Sequence, residues 1–176
     1  MQCSGARTMK RTVDVFELAR EAGSVAGEVR SADLARLAPM LAQPDGLIRF
    51  RIEGRTDDQG RSAATLQLQG RLKLTCDRCG SELDWPLQAQ AGFFFVPDEQ
   101  TLNALPILAD GDEPLLGSRH FDLLDLVEEQ TILSLPISPR HERCDGPAAA
   151  IRDDGDSDPH PFAQLASLKR GRTVVK

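Results

Sequence analysis

Tyrosine is absent from this chain, and aromatic residues make up only 5% of its 176 positions. No run approaches the ~18 apolar residues that a membrane-spanning helix needs, so that class of membrane protein is excluded. The N-terminus lacks a basic start followed by an apolar stretch, and no secretory signal is visible. Four cysteines are too few for a disulfide scaffold. Without an export signal they are expected as reduced thiols or metal ligands in a cytoplasm. No Ser-His-Asp order and no glycine-rich phosphate loop occurs, and His120 and His160 lie beside loop-like stretches. The sequence therefore carries no recognisable active site, and neither an enzymatic activity nor a small-molecule substrate is expected.

Excess positive charge is lacking too. The net charge is -6, which argues against holding nucleic acid by bulk electrostatics. The charge is uneven, however: residues 1–96 carry 13 basic and 12 acidic side chains, while residues 97–176 carry 8 and 15. The acidity lies in the second half, where keeping a tail solvated is its commonest use.

What is present is a strong period of two. Ile48, Phe50 and Ile52 alternate with Arg49, Arg51 and Glu53. Leu66, Leu68, Leu72 and Leu74 alternate with Gln67, Gln69, Arg71 and Lys73. Leu83, Trp85, Leu87, Ala89, Ala91, Phe93 and Phe95 share one parity. Each run is a strand with one buried face. Asp57-Asp58-Gln59-Gly60 supplies a hairpin loop and Cys76-Asp77-Arg78-Cys79-Gly80 a tight turn, which makes a three-stranded antiparallel meander. Helices must cover its apolar side. Leu34, Leu37, Ala38 and Leu41 follow helical spacing after a candidate N-cap at Ser31, and Pro39 should kink or end that helix. A second helix is expected after Asp122, with Leu123, Leu126, Val127 and Leu133 as its apolar stripe and Glu128 and Glu129 away from it. Val13 to Leu18 fits either a short strand or a helical turn. The fold class is α+β, an antiparallel β-meander packed with two or three short helices.

Residues 1–10 read as an unpacked leader, with Met9 an alternative start, and residues 11–146 as one domain. Asp98 to Pro114 is acidic, broken by Pro106, Gly111 and Pro114, and reads as a surface loop. Residues 147–160 form an acidic flexible linker, and residues 161–176 a docking segment with a basic end. Phe162, Leu165 and Leu168 sit three apart in that segment, too short a pattern to hold a helix unaided. They would dock on this domain or on a partner; the bland alternative is a frayed tail.

Two features carry candidate chemistry. Cys76-x-x-Cys79 and His141-x-x-Cys144 supply four zinc-type ligands in two pairs, 61 residues apart. A structural Zn2+ would use all four; the alternatives are free thiols, or a redox pair, which normally opens a helix rather than joining two strands. Arg49, Arg51, Arg71 and Lys73 share the parity opposite the apolar face. With Arg55 and Arg61 they bring six positive charges to the hairpin, a face able to track a phosphate backbone. The plain alternative is the charged wet side of any antiparallel sheet.

Three stretches together are distinctive. The knuckle Cys76-Asp77-Arg78-Cys79-Gly80 follows a strand, and Phe121 to His141 (FDLLDLVEEQTILSLPISPRH) comes next. Pro161 to Arg170 (PFAQLASLKR) lies near the end. In this order they resemble the bacterial YceD family of large ribosomal RNA subunit accumulation proteins, which has chloroplast relatives. The likeness spans about Val13 to Arg170, and Gln130 stands where the family tends to carry an acid. The resemblance implies a cytoplasmic, non-enzymatic factor for the synthesis, processing or stability of 23S rRNA. Its implied partner is that rRNA or a precursor large ribosomal subunit. A competing reading is an adaptor whose acidic half recruits a ribosomal protein or an RNA-processing factor.

Overall fold

The computed structural model describes residues 12–106 and 111–144. Thr12–Val13 (β1) is a two-residue strand, and Val15–Arg20 (α1) a short helix directly after it. Asp14 makes the switch: its carboxylate accepts the Phe16 and Glu17 N–H groups at 3.0 and 3.1 Å, which starts the helix. Ser24–Arg30 (β2) is a strand the sequence pattern hides, because the inward positions Val25, Gly27 and Val29 have a glycine at their centre.

The helix expected after Ser31 is replaced by two 3-10 turns, Ser31–Asp33 and Ala38–Met40. Ser31 caps nothing; its buried hydroxyl has no hydrogen-bond partner among the described residues. Two causes act together. Pro39 has no N–H and cannot donate the hydrogen bond that a continuing α-helix would send back to Ala35. The Arg36 and Leu37 N–H groups, which an α-helix would use internally, donate instead to Glu128 Oε1 at 2.7 and 3.1 Å. The apolar spacing still serves its purpose, since Leu34, Leu37 and Leu41 are all buried.

Leu47–Thr56 (β3), Ser62–Thr75 (β4) and Glu82–Val96 (β5) form the expected meander. Phe50 lies opposite Leu68, and Leu68 opposite Ala89. Ile48, Phe50, Ile52, Leu66, Leu68, Leu72, Leu87 and Phe93 point into the main core. The Asp98–Pro114 stretch is not a plain loop. Asp98 caps Glu99–Ala104 (α2) by accepting the Thr101 N–H at 2.7 Å. Glu113–Leu116 (β6) then pairs parallel to β5. The sheet thus has five strands, in the order β2-β3-β4-β5-β6. The reason lies in Phe93 to Val96, which are all buried. Phe93 and Phe95 join the main core, whereas Phe94 and Val96 face the other way and pack with Ala63, Leu102 and Leu105. A strand end that is apolar on both faces needs a cover on each side.

Phe121–Asp122 (β7) pairs antiparallel with β1, and Asp122 caps Leu123–Leu133 (α3), accepting from the Leu124 and Asp125 N–H groups. The buried arc of α3 is Leu123, Leu126, Val127, Glu128 and Thr131, so it centres near Val127. Leu133 lies about a third of a turn from that centre and is 64% exposed. Glu128, expected on the solvent side, is instead drawn inward by the Arg36 and Leu37 amides and by the Arg36 guanidinium at 3.2 Å.

Burial alone would push the Glu128 carboxyl up; the Leu37 and Arg36 amides and the Arg36 guanidinium outweigh it and hold it below its ordinary value of 4.5. Replacing Glu128 with Ala should cost about 3 kcal/mol in urea unfolding, because two amides and a guanidinium lose a charged acceptor. A lowered folded pKa means that this stability is present at neutral pH and is lost as pH falls below about 4.5 and through the folded value. The wild type should therefore show an acid-dependent component of stability that Glu128→Ala lacks.

Candidate metal centre and nucleic-acid interface

Cys76 and Cys79 sit in the turn between β4 and β5. The Cys76 N–H donates to the Ser81 carbonyl at 2.9 Å, and the Gly80 N–H to the Cys76 carbonyl at 2.8 Å. Gly80 has φ +73°, which is why a glycine closes the turn. The stretch after α3 is laid against this knuckle by the Asp77 N–H donating to the Pro139 carbonyl and the Ser138 hydroxyl donating to Asp77 Oδ2. The fold thereby closes the 61-residue gap. Ligand atoms of Cys76, Cys79, His141 and Cys144 all lie within 4.8 Å of one another.

The closer spacings test whether an ion fits. A tetrahedral ion with arms of about 2.3 Å to sulfur and about 2.0 Å to nitrogen sets two sulfurs about 3.8 Å apart, and a sulfur and a nitrogen about 3.5 Å apart. Cys76 Sγ and Cys144 Sγ are 3.8 Å apart, and Cys79 Sγ and His141 Nδ1 are 3.5 Å apart. His141 Nε2 lies 3.0 Å from the Glu82 carbonyl, so as an N–H it donates there and leaves Nδ1 free to coordinate. This group could hold a metal ion, and its four protein donors leave no open position for a substrate water.

The thiols are unequal. Burial pushes Cys76 up, but the backbone amides of His141, Cys79 and Arg78 pull it down to about 5. The Ser81 amide lowers Cys79. The Cys76 and Cys79 sulfurs raise His141. Burial, with the neighbouring sulfurs, raises Cys144. Backbone amides thus favour the thiolate form at both knuckle cysteines without a helix N-terminus, which separates this arrangement from redox pairs that open a helix.

Arg49 and Arg51 on β3 and Arg71 and Lys73 on β4 all lie on the sheet face away from the main core. Three are matched by acids. Arg49 pairs with Glu28 at 2.7 Å, Arg51 with Glu53 at 2.6 Å, and Lys73 with Glu82 at 2.5 Å and Asp84 at 3.4 Å. Arg71 lies opposite Pro86 and makes no ion pair among the described residues. Arg49, Arg71 and Lys73 border an open depression of about 530 Å³ with Asp45, Leu47 and Asp84. Sequence reasoning missed Glu28, Glu82 and Asp84, because only the strand register brings them to these cations; Asp84, for example, lies directly opposite Lys73. The other two cations of the hairpin are engaged internally. Arg55 pairs with Asp112, and Arg61 pairs with Asp57 while its guanidinium lies 3.5 Å over the Phe94 ring. Phe162, Leu165 and Leu168 lie outside the described residues.

The model of a family described as "Large ribosomal RNA subunit accumulation protein YceD" matches residues 64–169. The chain belongs to the YceD family. A Haemophilus influenzae relative named Large ribosomal RNA subunit accumulation protein YceD is 26% identical over 168 residues, covering 90% of this chain and 95% of its own. No solved structure matches. The YceD match takes in all four candidate ligands together with Arg71 and Lys73, and begins after Arg49 and Arg51. The family is described by an accumulation role rather than by a reaction.

Metal binding must displace protons, and the thiols contribute to that release unequally. With Cys76 already a thiolate at pH 7 and Cys144 still a thiol, saturating the metal-free protein should draw no proton from Cys76 and about one from Cys144, so that the three thiols together release fewer than the about three expected of ordinary thiols. Titration calorimetry in buffers of different ionisation enthalpy, with thiolate absorbance followed alongside, reads this release.

Proposed function

We propose that this protein is a non-enzymatic ribosome biogenesis factor of the cytoplasm that supports 23S rRNA accumulation by binding precursor rRNA or a large-subunit assembly intermediate. The observation that carries this reading is the gathering of Arg49, Arg51, Arg71 and Lys73 on one exposed face in a chain of the YceD family. Exposed ion pairs such as Arg49–Glu28 contribute little to stability, so a phosphate can compete for the guanidinium. No helix among the described residues is long and apolar enough to cross a membrane. The ion is a structural Zn2+, since three thiolates and an imidazole with tetrahedral spacings suit zinc. It staples the stretch after α3 to the sheet. Phe162, Leu165 and Leu168 act as a partner-docking segment. The acids interleaved with the cations favour one second reading, an adaptor that recruits a ribosomal protein or RNA-processing enzyme; pull-downs after nuclease treatment separate the two.

Gel shifts with 23S rRNA fragments test the platform. Charge reversal of the four cations should weaken binding about 100-fold at moderate salt, and Arg71→Ala alone should flatten the log–log salt slope by about one. Equal binding by the charge-reversed protein removes the sheet from the reading. Metal analysis of purified protein should give about one zinc per chain; a small fraction of that ends the zinc assignment.

A further inference from the structure

We infer that the metal knuckle presents a second phosphate-binding surface, formed by Arg78, Arg140 and Arg143, which is assembled only while its four ligands are held together. This rests on the reading that the sheet face meets rRNA, and it extends that contact onto the end of the sheet.

Three of the four ligands are preceded directly by an arginine: Arg78 before Cys79, Arg140 before His141, and Arg143 before Cys144. Adjacent Cα atoms are about 3.8 Å apart. Bringing the ligand atoms within 4.8 Å of one another therefore brings the backbone of Arg78 close to that of Arg140 and Arg143, which lie more than sixty residues later in the sequence. All three are exposed. None makes an ion pair among the described residues. Arg140 is oriented by its Nε donating to Ser138 Oγ at 3.1 Å, and Ser138 in turn donates to Asp77 at 2.7 Å; the other guanidinium donors have no partner among the described residues.

The knuckle is linked to the cations of the sheet face through one residue. That residue is Glu82: its carboxylate pairs with Lys73, and its carbonyl lies 3.0 Å from His141 Nε2. The knuckle is close to electroneutral once Asp77, Glu142 and three thiolates around a divalent ion are counted. It cannot act as a long-range field. It acts at contact distance, through guanidinium forks that match phosphate geometry. Arginine without ion-pair partners among the described residues is what separates this end from the sheet face, where three of four cations are paired.

The test uses the full chain and a transcribed 23S rRNA fragment, with affinity measured by anisotropy across a salt series. Arg78→Gln/Arg140→Gln/Arg143→Gln keeps every ligand and should lose about tenfold in affinity and about two units of log–log salt slope. Cys79→Ser/Cys144→Ser keeps every arginine and should show the same loss, with hydrogen-exchange protection of β3, β4 and β5 retained. Arg71→Gln is the separate arm for the sheet. Wild-type affinity and slope in the triple variant, with a loss in Arg71→Gln, overturn the knuckle surface and leave the sheet reading standing. Wild-type protein that binds no rRNA overturns both. A triple variant that keeps rRNA binding but loses a nuclease-resistant protein partner overturns the phosphate assignment in favour of a protein contact.

Discussion

Strand β4 is hydrogen-bonded along both edges, to β3 over Ser62–Gly70 and to β5 over Ala63–Thr75. A strand held on both sides cannot slip by one residue without turning every leucine outward and every cation inward. That one constraint orders most of the molecule. It fixes Leu66, Leu68, Leu72 and Leu74 in the core, and it fixes Arg71 and Lys73 on the opposite face. It also sets the angle at which the chain leaves Thr75 and enters the cysteine turn. The candidate metal centre is thus an extension of the sheet, built where β4 and β5 run on together past the end of β3, and the stretch after α3 comes to it.

A buried carboxylate plays a comparable part on the helical side. Glu128 takes the amide protons of Arg36 and Leu37, so the chain between β2 and β3 need not be a regular helix to satisfy its backbone. One charged side chain from α3 thereby shapes a segment some ninety residues earlier. The contact is long-range in sequence, and no local pattern around Ser31 or Pro39 encodes it.

The parts legible in the sequence are those governed by local periodicity or by residue type. The alternation in β3, β4 and β5, the Asp122 cap and the four candidate ligands are of this kind. Spacing did not identify the ligands as one group; their chemistry did, and the fold supplies the proximity. What stayed hidden depends on what lies across a strand or behind a face. Gly27 interrupts the inward row of β2, so its alternation is faint. Phe94 and Val96 read as the tail of a one-faced strand, although their burial requires α2 above them. The pairing of Lys73 with Glu82 and Asp84 follows from register, which a single strand does not reveal.

The parallel pairing of β6 with β5 has a geometric outcome of its own. Parallel neighbours need a crossover, and here it brings α2 over Ala63, Phe94 and Val96. One end of the charged face is thereby roofed, while the other runs open to the cysteine turn. From Thr65 to Thr75 that leaves a lane of roughly 33 Å, walled at one end and, among the described residues, uncovered at the other. Such a lane works as a one-ended ruler. An extended ligand lying along it has its length capped by α2 and its protruding end directed past the knuckle, whatever chemistry holds it there.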